Sequence, residues 1–115
     1  MIPPLDKLPT LPEPFELLEL ADTTTAEIAP IGFTLGKGMI RPRDGRAPHE
    51  IPILRITVAP EDKPTVPRWW DVSSKTLIAG LLGYLQAPSG GPWRFLITKY
   101  GTAPTARFSI EARRR

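Results

Sequence analysis

Proline sets the first limit on what this chain can become. Of its 115 residues 15 are proline, and five of these fall within residues 1–14. A fixed φ and a missing amide proton forbid a helix there, so the start is expected to run extended, close to polyproline II. Residues 1–26 therefore read as a Pro-rich, acidic arm. "PFELLELADTTTAEIAP" adds an apolar cluster to it, Phe15, Leu17, Leu18 and Leu20, suited to docking on the core or on a neighbouring subunit. Small strand-forming proteins with such an arm often complete their cores by exchange, and a homodimer is the expected assembly.

From Glu27 to Ala112 the pattern is that of one β domain. "EIAPIGFTL" and "GMIRPR" flank Gly36-Lys37-Gly38, which reads as the tight reversal of a first hairpin. In "IPILRITVAP", Leu54, Ile56 and Val58 alternate with Arg55 and Thr57, the period of a half-buried strand, which ends at Pro60. "EDKPTVP" reads as a loop and "RWWDV" as a short extended piece. The period then changes. In "SSKTLIAGLLGYLQ" the residues Leu77, Ile78, Leu81, Leu82 and Leu85 form one face of a helix, with Asp71, Ser73 or Ser74 as N-cap. Gly80 and Gly83 each cost that helix roughly 1 kcal/mol relative to Ala, so it is expected to depend on close packing against the sheet. Two further strands follow "APSGGP", and Arg113 to Arg115 close the chain as a basic tail. The expected fold is mainly β. The order strand, strand, strand, helix, strand, strand fits a five-stranded oligonucleotide-binding (OB-like) barrel with its helix between strands three and four, or an open antiparallel sheet with one helix.

Charge is unevenly spread. Residues 1–36 carry six acids against Lys7, a net of −5, while residues 37–115 carry 14 Lys or Arg against six acids, a net of +8. A basic body points to a polyanionic partner, with an acidic segment able to lie across it. Without cysteine and with His49 as its one histidine, the chain has no disulfide framework and no basis for a zinc site. The start lacks a basic region followed by an unbroken apolar run, and no apolar run reaches 18 residues, so a soluble cytoplasmic protein without membrane partners is expected. Asparagine is absent and Gln86 is the one glutamine. Depletion of heat-labile side chains together with many prolines points to a thermophilic source; a GC-rich genome would give a similar bias.

No catalytic arrangement emerges. His49 lies alone in a polar loop, Asp71, Ser73 and Ser74 read as a helix cap, and "GFTLGKG" lacks the spacing of a phosphate-binding loop. Neither cofactor nor small-molecule substrate is expected. The chemistry lies instead in "WRFLITKYGTAPTARFSIEARRR". Alternation turns Phe95 and Ile97 inward and leaves Arg94, Thr98 and Tyr100 outside; on the next strand Ala106, Phe108 and Ile110 face in and Arg107 faces out. Guanidinium groups bind phosphate and an aromatic ring stacks on a base, so Arg94, Tyr100 and Arg107, with Lys99 at the edge, point to single-stranded nucleic acid. "ITKYGTAPTARFSIE" also resembles the hairpin near the end of phage-type single-stranded DNA-binding proteins, with Ile97, Lys99, Gly101 and Phe108 in the matching places. Ala103-Pro104 and Ala106 replace the second glycine and the threonine of that pattern. The resemblance implies an OB-like fold and sequence-tolerant binding.

"VPRWWDVSSK" supplies a second patch. Neighbours on a strand face opposite ways, so one of Trp69 and Trp70 enters the core and the other turns to the surface beside Arg68; Lys75 adds charge at the helix start. The competing reading is a small structural or accessory subunit, for example of a virion, that assembles through its arm.

Overall fold

A computed structural model describes residues 3–40, 45, 47–86, 92–101 and 107–114. After a single 3-10 turn at Leu5–Lys7, the chain forms β1 (Thr25–Ile28), β2 (Pro30–Ile40), β3 (His49–Val58), β4 (Trp69–Val72), α1 (Lys75–Leu85), β5 (Trp93–Tyr100) and β6 (Arg107–Arg114). The mainly β composition with one helix agrees with the sequence reading. The strands make two antiparallel sheets, β1-β5-β6 and β2-β3-β4. β1 and β2 are one run of chain broken at the buried Ala29, which passes the backbone from the first sheet to the second. Pro30, which has no amide proton to donate, opens β2, and the β2–β3 register shifts between Pro30 and Gly32.

A closed five-stranded barrel is not what forms: there are six strands in two sheets, and among the described residues no ladder joins β4 to β6. The strand assignment also needs correction. Gly36-Lys37-Gly38 is not a turn; β2 runs straight through it and pairs with Ile53, Pro52 and Ile51. The reversal falls after Ile40, mostly outside the described residues. "RWWDV" supplies a full strand, β4, so four strands precede the helix and two follow it, not three and two.

These two glycines serve the arm. A Cβ on Gly36 would lie 2.6 Å from Leu11 Cγ and 2.7 Å from the Pro9 carbonyl oxygen, and one on Gly38 would lie 2.6 Å from the Phe15 ring. The arm therefore docks on its own sheet. Lys37 donates its amide proton to the Pro9 carbonyl (2.9 Å) and accepts from Leu11 N (2.9 Å), while Asp71 donates to the Glu16 carbonyl (2.7 Å) and accepts from Leu18 N (2.9 Å). It is thus fastened to the free edges of β2 and β4 and crosses the outer face between them. Leu8 and Leu11 are buried there, and Leu18 and Leu20 pack against the main core.

That core lies on the other face. Leu54, Ile56 and Val58 of β3 meet Ile28, Val72, Phe95 and Ile97 and the buried face of α1, formed by Leu77, Ile78, Leu81 and Leu82. Ser74 caps the helix, its hydroxyl accepting from Leu77 N (3.4 Å). Gly80 lets β6 approach, since a Cβ there would lie 2.7 Å from Ile110 Cδ1. β6 continues through Arg114, so Arg113 and Arg114 belong to the sheet; Arg115 lies outside the described residues.

Candidate nucleic-acid interface

Strand parity builds the outward face of β1-β5-β6. Phe95 and Ile97 are fully buried, whereas Tyr100 is 52% exposed. The β5–β6 register sets Tyr100 directly across from Arg107, Thr98 from Ser109, Leu96 from Glu111 and Arg94 from Arg113. Arg94, Tyr100 and Arg107 therefore do share a face. They do not form one cluster. Six residues of extended strand separate Arg94 from Tyr100, roughly 20 Å. Arg94 also pairs with Glu27 across β1 (3.2 Å), as Arg113 does with Glu111 (2.9 Å).

Tyr100 and Arg107 form the open end of this face. Among the described residues Arg107 makes no ion pair, so its guanidinium keeps its donors for a ligand. The end of β5 is fixed from below. Asp22 Oδ1 accepts from Gly101 N (2.7 Å), Thr23 N donates to the Lys99 carbonyl (2.7 Å), and Gly101 adopts φ 83°, a left-handed conformation that favours glycine. Lys99 shares the parity of Phe95 and Ile97 and sits on the face opposite Tyr100. Ala106, also assigned a face from the sequence, lies outside the described residues.

The tryptophan pair divides as alternation requires. Trp70 packs against the core with the Lys63 ammonium 4.9 Å from its ring centre. Lys63 is itself buried and donates to the Pro67 carbonyl. Trp69 faces outward but is held by the arm: its indole N–H donates to the Pro14 carbonyl (3.3 Å), and the Arg55 guanidinium lies 4.3 Å from its ring centre. Arg68 is exposed, with one long contact to the Pro64 carbonyl (3.5 Å). Lys75 belongs to a separate cleft with Pro3, Pro4, Leu5 and Pro52.

Sequence reading missed Arg55, which it placed on the solvent side of its strand. Only 5% of it is exposed, because the arm covers it, and Nη1 and Nη2 donate to the carbonyls of Pro12 (2.7 Å) and Pro14 (3.2 Å). The usable signal was in "IPILRITV", where Ile51 and Ile53 share Arg55's parity: apolar residues on both parities mark a strand covered on both faces.

Among the described residues no three metal-ligating side chains converge, and no helix is long and apolar enough to cross a membrane. No protein-family model, curated protein or solved structure matches the chain.

Proposed function

We propose that this protein binds single-stranded nucleic acid, tolerant of sequence, through the outward face of β5 and β6. The observation that carries the reading is an exposed tyrosine directly across from an arginine without an ion pair, at the end of a sheet. A ring face stacks on any base and a guanidinium binds phosphate, a combination that suits unpaired strands. Connectivity supports it. With residues 25–40 counted as one bent strand, that strand pairs with both the second and the fourth, the fourth pairs with the fifth, and the helix follows the third. This is the order of the partly open Greek-key barrel of OB-folds. Titration with labelled oligo-dT across a salt series tests the reading, with duplex of equal length as the comparison; equal affinity for the two would remove it.

A structural or accessory subunit is the second reading. Ile31 and Phe33 are large apolar residues exposed on β2, beside a cleft shared with Leu85, Pro92 and Trp93. Such a patch fits a homodimer contact better than arm exchange does, because the arm is fastened to its own sheet.

A further inference from the structure

We propose that the cleft beside β4 accepts one nucleobase with its phosphate, as a contact of the bound strand separate from Tyr100 and Arg107; this rests on the nucleic-acid reading above. The cleft measures about 540 Å³ and is lined by Pro14, Thr57, Val66, Pro67, Arg68 and Trp69. Its volume lies within the range of small-molecule sites.

Trp69 is held ready for stacking. Arg55 lies over its ring without lining the cleft, and the indole N–H is tied to the Pro14 carbonyl, so the ring is fixed in place and its remaining surface bounds the cleft. A base that stacks there has no rotamer of Trp69 to freeze, which removes one of the usual costs of association. The prolines and Val66 offer no donors to a base edge, and apart from Arg68 and the tied indole N–H the Thr57 hydroxyl is the one polar side-chain group in the lining, so the cleft favours ring faces over the reading of sequence. Arg68 stands at the rim with its charge unpaired among the described residues. A flat aromatic wall beside a guanidinium without an ion pair matches the two parts of a nucleotide; a neutral apolar ligand would leave the charge of Arg68 unused. Pro14 makes one wall, so the docked arm helps to form the cleft.

The experiment uses the full chain, an oligo-dT of about 20 nucleotides carrying 5-iodouracil, and the variants Val66→Glu and Arg68→Ala. Val66 is 77% exposed and belongs to no packed cluster, so a carboxylate there repels phosphate and leaves the fold intact. Expected results are photo-cross-linking to Trp69, a loss of about tenfold or more in oligo-dT affinity for Val66→Glu, and a shallower salt dependence for Arg68→Ala. Cross-linking confined to Tyr100, with Val66→Glu binding as wild type, overturns the cleft while leaving nucleic-acid binding intact. No binding by the wild type at low salt overturns both.

Discussion

Arg55 and Asp71 meet as a buried bidentate pair, Nε to Oδ1 at 2.8 Å and Nη2 to Oδ2 at 3.2 Å, on neighbouring strands of the β2-β3-β4 sheet. The arm completes both partners. Arg55 donates two further protons to the Pro12 and Pro14 carbonyls, and Asp71 Oδ2 accepts from Glu16 N (2.8 Å). Three of these five hydrogen bonds are thus made with a segment that carries little regular structure of its own.

Removing one partner should be costly, because it strands a buried charge. Asp71→Ala is expected to lower unfolding free energy by about 3 to 5 kcal/mol, measured by urea denaturation. Arg55→Met, which replaces the charge with apolar bulk but leaves Asp71 unpaired, should fall in the same range. Added salt should change these losses little, since a pair this buried is poorly screened. A loss below 1 kcal/mol for Asp71→Ala would show that the arm does not depend on the pair.

Glycine substitutions should divide by location. Gly36→Ala drives a Cβ against the Pro9 carbonyl oxygen, a backbone atom that cannot swing aside, so a cost of about 1 to 3 kcal/mol and faster proteolysis of the arm are expected. Gly83 lies in α1 with nothing within 4 Å of its missing Cβ. Gly83→Ala should therefore stabilise by up to about 1 kcal/mol through helix propensity. Thermal melts of the two variants should move in opposite directions.

The exposed patch on β2 makes a prediction about assembly. If Ile31 and Phe33 meet a second copy, Ile31→Glu should lower the mass measured by light scattering without lowering the melting temperature of the monomer unit. A wild type that runs as a monomer at every concentration removes the homodimer.

Local pattern was a good guide where burial is one-sided. Leu77, Ile78, Leu81 and Leu82 announced their helix face, the cap fell on Ser74, one of three candidates with Asp71 and Ser73, and the alternation of β5 and β6 placed Phe95, Ile97, Tyr100 and Arg107 on the faces where they lie. Pattern failed where a distant segment changes what a residue faces. Gly36 and Gly38 looked like a turn because the same absence of a side chain serves a reversal or a close approach, and only the arm's path decides between them. Arg55 looked solvated for the same reason. The ion pair of Arg94 with Glu27 likewise depends on β1 pairing with β5, a contact across nearly 70 residues that no local signal marks.

The hairpin itself supplies the sharpest test of function, because its two key residues should fail in different ways. Tyr100→Ala removes a stacking plane, worth roughly 1 to 3 kcal/mol per base, and should weaken oligo-dT binding by a similar factor at every salt concentration, since stacking releases few counterions. Arg107→Ala removes a phosphate contact. It should weaken binding most at low salt and flatten the slope of log K against log salt by roughly 0.7. Arg94→Ala is the internal control: Glu27 already occupies its guanidinium (3.2 Å), so its loss should change the slope less than that of Arg107. All three side chains lie on the outward face, so the variants should melt close to wild type, and any difference in binding can be read as contact rather than as unfolding. If Tyr100→Ala and Arg107→Ala both bind oligo-dT as wild type does, the face of β5 and β6 is structural and the interface lies elsewhere.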